Sequence, residues 1–132
     1  MVDIPKNVLD LLGRQDSTKV LVTADKSGVP HAIVCGSIIA IDANTLVVGE
    51  ILMKTSSKNL AANDKAAILA VNGMESYLVK VKVAGKKTEG PVFDNMNAHL
   101  AKMKLKANAV WFFAAESVFN QSAGPDAGKK LA

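Results

Sequence analysis

The sequence predicts a mainly β fold: six strands in a small, closed or nearly closed antiparallel barrel, with short helices between them. Three observations carry this. Apolar, β-branched runs of strand length recur, and turn signals separate them at Asp25-Lys26-Ser27-Gly28-Val29-Pro30, Asp42-Ala43-Asn44 and Asn72-Gly73. In one run Tyr77, Val79, Val81 and Val83 alternate with Lys80 and Lys82, which buries one face and wets the other. The order ββ-β-α-ββ-α-β then favours closure, because an antiparallel domain of this size must hide its sheet edges.

Asp3 offers an N-cap, Pro5 suits a first turn, and Ile4, Val8, Leu11 and Leu12 share one helical face before Gly13 ends the helix. Lys19 to Ala24 forms the first strand. His31 to Ile41 is a long second strand, interrupted by the small residues Cys35-Gly36-Ser37, which predict a bulge or a close backbone approach. Thr45 to Leu52 is the third, so the first half reads as two consecutive hairpins. A polar helix over about Thr55 to Asn63 follows, then strands over Ala66 to Val71 and Tyr77 to Val83. Gly90-Pro91 opens a helix with Phe93, Met96, Leu100 and Met103 at core spacing and Lys102, Lys104 and Lys106 toward its end. Ala109 to Phe119 is the sixth strand. It is apolar on both faces, which implies cover from both sides or from a partner. Residues 1–132 read as one domain with a loose tail over 120–132.

At 132 residues, 49% hydrophobic and 21% charged, the chain has the composition of a globular domain able to bury a core. The net charge of +4 is mild, Arg14 is the only arginine, and no aromatic residues interleave with basic ones, so nucleic-acid binding is not indicated. Cys35 is the single cysteine, which excludes an internal disulfide or a cysteine-based metal cluster. The N-terminus carries no apolar leader and no stretch has the length of a membrane span, so the expected location is the cytoplasm, away from membranes. No metal is expected, since no His-x-x-x-His or mixed Cys/His spacing occurs. Gly-x-Gly-x-x-Gly, Walker and Gly-x-Ser-x-Gly motifs are absent.

One segment concentrates chemistry. Ile51-Leu52-Met53-Lys54-Thr55-Ser56-Ser57-Lys58 runs from a strand into the polar helix, gathering three hydroxyls and two lysines where free N–H groups and the helix dipole favour an anion. Thr and Ser are also ordinary caps and lysines ordinary surface residues. Yet Lys54 and Lys58, spaced i, i+4, repel each other unless an anion lies between them. Cys35-Gly36 reads either as a kink at a barrel corner or as a backbone shelf for a flat ligand. As a nucleophile Cys35 lacks a base: His31, four strand residues away, lies more than about 12 Å off. His31 and His99 read as surface or half-buried residues, and Tyr77 and Trp111 as core.

Taken in order, Gly28-Val29-Pro30-His31, the strand end Gly49 to Ile51, Lys54-Thr55, Asn59-Leu60 and Asn63 resemble the pyridoxamine 5'-phosphate oxidase-like family of FMN-binding split barrels. The likeness runs from about Val20 to Phe119 and is greatest to the small stand-alone FMN-binding proteins. It implies a six-stranded antiparallel split β-barrel of Greek-key type with two or three short flanking helices. It implies FMN as cofactor, its phosphate held by Lys54 and Thr55 with Ser56, Ser57 and Lys58 in support. The flavin ring would lie on Val34, Cys35 and Gly36, with contacts from Ile51, Leu52 and Met53. A homodimer is implied, with flavin in a groove at the interface and the partner covering Trp111 to Ala114.

The chain departs from the family in three places. The lysine-to-Asn59 spacing is one longer than usual in the small FMN-binding proteins, so Lys54 and Lys58 both qualify as the phosphate ligand. Val34-Cys35 replaces polar residues often found in the second strand. The oxidase's substrate-binding arginine and histidine have no counterpart in Gln121 to Ala132. The expected function is therefore that of an FMN flavoprotein in electron transfer or reduction, served by a redox partner protein or a nicotinamide cofactor. The alternatives are the same fold with a deazaflavin or haem, and a non-catalytic binding or sensing module without flavin. No side chain stands out as a general acid or base, so no catalytic residue is assigned.

Overall fold

Residues 1–132, all described by the computed structural model, form seven strands and three helices in the order α1 (Lys6–Gly13), β1 (Thr18–Ala24), β2 (Pro30–Val34), β3 (Ile38–Ala40), β4 (Thr45–Gly49), α2 (Lys54–Ala62), β5 (Lys65–Asn72), β6 (Glu75–Lys87), α3 (Pro91–Ala101) and β7 (Val110–Asn120). The strands make one antiparallel sheet in the order β2-β1-β5-β6-β7-β4-β3. This corrects the expected six strands to seven. The single long second strand is two, β2 and β3, separated at Cys35-Gly36-Ser37.

That break closes the sheet. β2 pairs with β1 and β3 with β4, so the two ends of the strand order are neighbouring pieces of one segment. The Cys35 amide donates to the Lys19 carbonyl at 2.8 Å, while the Ser37 carbonyl accepts from the Gly49 amide at 3.2 Å. Two residues therefore move the chain's pairing from one sheet edge to the other, and a curled half-barrel without long free edges results.

The core follows from period-two alternation. Leu21, Ile68, Val79, Val81, Phe113, Ala115 and Val118 point inward and are buried with Ile38, Leu46 and Val48. Each such Val, Leu, Ile or Phe side chain contributes roughly 1.5–3 kcal/mol by leaving water. α1 adds Val8, Leu11 and Leu12 to the same core. Its first residue is Lys6, with Pro5 rather than Asp3 at the cap position. Asp3 instead accepts a hydrogen bond from Asn44 Nδ2.

A second, smaller cluster joins Val47, Met96, Leu100, Ala107 and Val110. It explains why Val47 and Val48 are buried in succession and why β7 is apolar on both faces. Its inner face fills the barrel, and Val110 and Phe112 on its outer face pack with the α3 cluster. α3 ends at Ala101, so Met103 lies beyond it and is 54% exposed.

The tail, expected to be loose, is tied down. The Val118 amide donates to the Ala132 carbonyl at 3.0 Å and the Leu131 amide to the Val118 carbonyl at 2.7 Å, and Leu131 and Ala132 pack on the core. β7 is a long strand with backbone groups to spare past its partner strand, and the returning tail takes them up.

Candidate functional site

β4 stops at Gly49, and Glu50 to Met53 lead directly into α2. Leu52 takes the left-handed conformation, at φ 50, and its side chain is 94% exposed. The first backbone hydrogen bond of α2 runs from the Ser57 amide to the Met53 carbonyl at 2.9 Å. The amides of Lys54, Thr55 and Ser56 precede it, no side chain caps the helix, and no acid occupies its first turn. Such an end carries unspent donors and partial positive charge.

A groove of about 250 Å³ opens at this end, with His31 and Ile33 of β2 on one side and Leu52, Met53, Lys54, Thr55 and Ser56 on the other. Lys54 and Thr55 are exposed at its rim. Ser56 is fully buried, and its Oγ has no hydrogen-bond partner. A buried hydroxyl left unpaired is costly, roughly 1–3 kcal/mol, so its place beside three free amides suits an anionic oxygen. Asn59, also buried, donates to Thr23 Oγ1 at 3.0 Å and anchors α2 to β1 beneath the groove.

On the other side of α2 a second groove of about 340 Å³ is lined by Glu50, Leu52, Met53, Lys54, Ser57, Lys86 and Asn108. Glu50 organises it. Ser57 Oγ donates a short hydrogen bond to Glu50 Oε1, Trp111 Nε1 donates to the same oxygen at 3.1 Å, and Lys86 Nζ lies 3.8 Å away. Burial pushes the Glu50 carboxyl up, but the bonds from Ser57 and Trp111 and the charge of Lys86 outweigh it, so it titrates below the usual carboxylate range.

The structure thus brings Leu52, Met53, Lys54, Thr55 and Ser56 together in one groove. Ser57 is turned away to Glu50, and Lys58 is exposed one turn further along α2. Ile51 is half-buried under α3. Val34, Cys35 and Gly36 do not line the groove. Val34 faces outward and is 74% exposed, Gly36 lies at the chain crossing, and the buried Cys35 thiol contacts Ser37 Oγ at 3.3 Å. His31 and Ile33 take that wall instead. Sequence reading took His31 only as a surface or half-buried residue and did not single out Ile33; the signal was their alternation on β2, which puts them on one face with Cys35.

Another concavity, of about 560 Å³, lies elsewhere, over the outer faces of β1, β5 and β6 with Lys65, Lys80 and Lys82 around it. Lys82 is paired with Asp64 at 3.7 Å, Lys80 stacks over Phe119 at 4.8 Å, and ladder pairing uses the strand backbone there. It lacks the free amides and the orphan hydroxyl of the α2 groove. No group of three or more His, Cys, Asp or Glu side chains gathers as a metal site, and no helix is long and apolar enough to cross a membrane.

No protein-family description matches the chain, and no curated protein does. Solved structures do. HupZ from Group A Streptococcus superposes with a TM-score of 0.80 at 23% identity, covering 95% of this chain and 99% of its own. An FMN-binding protein from Syntrophomonas wolfei subsp. wolfei gives 0.78 at 15% identity, covering 87% and 84%. HutZ, the heme storage protein from Vibrio cholerae, gives 0.66 at 9% identity, covering 92% and 97%. At these identities the likeness is one of fold, and the fold is the pyridoxamine 5'-phosphate oxidase-like split barrel.

Proposed function

We propose that this chain binds FMN and serves as a flavoprotein in electron transfer or reduction. The observation that carries the reading is the uncapped start of α2 beside the buried, unpartnered Ser56 hydroxyl. A phosphate monoester supplies the acceptor oxygens that these donors lack. Lys54, at the rim of that groove, neutralises its charge; Lys58, a turn away and outside the groove, contributes less. The ring then runs along β2, against Ile33 and His31, with Leu52 and Met53 over it. Bound there, FMN supplies the electron chemistry; the protein binds it, orients it and sets its surroundings.

The cofactor reading extends to a homodimer. Cross-strand register aligns Val34, Val20, Leu69, Leu78 and Phe119 in one row over β2, β1, β5, β6 and β7, on the sheet's outer face. None of the five is buried. A continuous apolar row of this kind suits a second copy of the chain, and Val34 belongs to it rather than to the ring.

A spectrum with added FMN tests the proposal. Bands near about 375 and 450 nm, characteristic of flavin, should stay with the protein through gel filtration. Removing a charge-assisted contact typically costs about 1.5–3 kcal/mol, so Lys54→Ala should weaken FMN roughly tenfold or more, and Lys58→Ala far less. Undiminished affinity in a Lys54→Ala/Ser56→Ala double variant would sink the site. A second reading, haem, has one observation in its favour: His31 and Met53, two side chains able to ligate iron, both line the groove. A Soret band on haem addition, lost in His31→Ala, would select it over FMN.

A further inference from the structure

The two halves of α2 are fastened in different ways. Its second turn is tied to β1, Asn59 donating to Thr23 Oγ1 at 3.0 Å. Its first turn has one side-chain hydrogen bond, from Ser57 Oγ to Glu50 Oε1. Capping does not explain that bond, because Ser57 is the fourth residue of the helix and its amide already reaches the Met53 carbonyl. The joint just before the helix is strained, with Leu52 at φ 50 and its side chain 94% exposed. A conformation of that kind persists only where the surroundings over-determine it.

Glu50 supplies the constraint. Its amide donates to the Ala109 carbonyl at 2.8 Å, and its carbonyl accepts from the Asn108 amide at 3.0 Å. Its side chain accepts from the buried Trp111 Nε1 at 3.1 Å. Lys86 Nζ lies 3.8 Å from the same carboxylate oxygen and 5.1 Å from the centre of the Trp111 ring. β6 and β7 thus hold the carboxylate, and the carboxylate holds Ser57. Ser56 is the next residue back, so fixing Ser57 sets the bearing of the Ser56 hydroxyl and of the free amides beside it. A bare carboxylate here would repel a phosphate, since the two grooves share Leu52, Met53 and Lys54 as a common wall; the charge of Lys86 offsets it.

We infer that Glu50 is a positioning residue for the cofactor's phosphate: through Ser57 it holds the first turn of α2 so that the Ser56 hydroxyl and the free amides face the groove. Glu50 does not line that groove and touches neither phosphate nor ring. The role rests on the FMN reading and deepens it, because control of phosphate affinity then lies in a residue outside the cofactor groove.

The test compares two substitutions of equal charge in the full chain. Glu50→Gln keeps an acceptor oxygen for Ser57 and Trp111, and Glu50→Ala keeps none. Affinities for FMN and for riboflavin, which has the ring without the phosphate, are read from quenching of flavin fluorescence. Glu50→Ala should bind FMN about tenfold more weakly than Glu50→Gln, with riboflavin equal in the two. Ser57→Ala should cost as much in the Glu50→Gln background and nothing in the Glu50→Ala background, where the link is already broken. Should Glu50→Ala not fold, Ser57→Ala against the unmodified chain makes the same comparison at constant charge. Equal FMN affinity in Glu50→Ala and Glu50→Gln would overturn the positioning role. So would an equal loss for riboflavin, the mark of a general packing defect, or a further loss from Ser57→Ala beside Glu50→Ala, the mark of a direct contact between Ser57 and phosphate. An unmodified chain that takes up no FMN would overturn the cofactor reading itself, and the positioning role with it.

Discussion

Single residues at the start of α2 divide the labour. Ser56 and Ser57 are adjacent, yet one hydroxyl is buried without a partner and the other is held by Glu50. The helical step of about 100° between neighbours sends them to opposite grooves. Glu50 in turn joins α2 to β7 through Trp111 and to β6 through Lys86. Its folded pKa is depressed, so its contribution to stability is full above the unfolded carboxylate range and is lost as pH falls through the lower folded value. Denaturant midpoints of the wild type should therefore drop more steeply on acidification than those of Glu50→Gln, which cannot titrate. Parallel profiles would show that the carboxylate is not stabilised by these partners.

At the scale of elements, β4 and α3 show how closely the site's support is packed. Gly49 ends β4 where a Cβ would meet Met96 Cγ and Sδ at 3.1 Å and Ala107 Cβ at 3.4 Å. Met96 is 2% exposed and has little room to retreat. Gly49→Ala should therefore cost about 1 kcal/mol through overpacking, seen as a melting temperature lower by about 4 °C. An unchanged or raised melting temperature would mean that Met96 repacks freely. The helices and most strands were legible from residue type: Val8, Leu11 and Leu12 repeat at helical spacing, and Tyr77 to Val83 alternates with its lysines. The tail was not legible, because its polar, glycine-containing sequence resembles a loose end and its hydrogen bonds go to a strand edge that only the folded sheet exposes.

For the whole molecule, the sheet's outer face carries one apolar row that is not buried within the chain: Val34, Val20, Leu69, Leu78 and Phe119. If a second copy covers it, sedimentation should give a dimer, and Val34→Asp should give a folded monomer, since Val34 is 74% exposed within one chain. A monomeric wild type would remove the dimer from the proposal. The sequence by itself determined the mainly β character, the approximate places of the helices, the core alternation and the gathering of lysines and hydroxyls at Lys54 to Ser57. These are local properties, set by periodicity, turn residues and the chemistry of a helix start. Tertiary structure alone decided that Cys35-Gly36-Ser37 is the point of closure, that His31 and Ile33 form the groove wall, and that Glu50 withdraws Ser57 from it. Each of these depends on which distant strand a residue pairs with, and strand pairing is settled by register and closure over the whole sheet, which no local run of residues encodes.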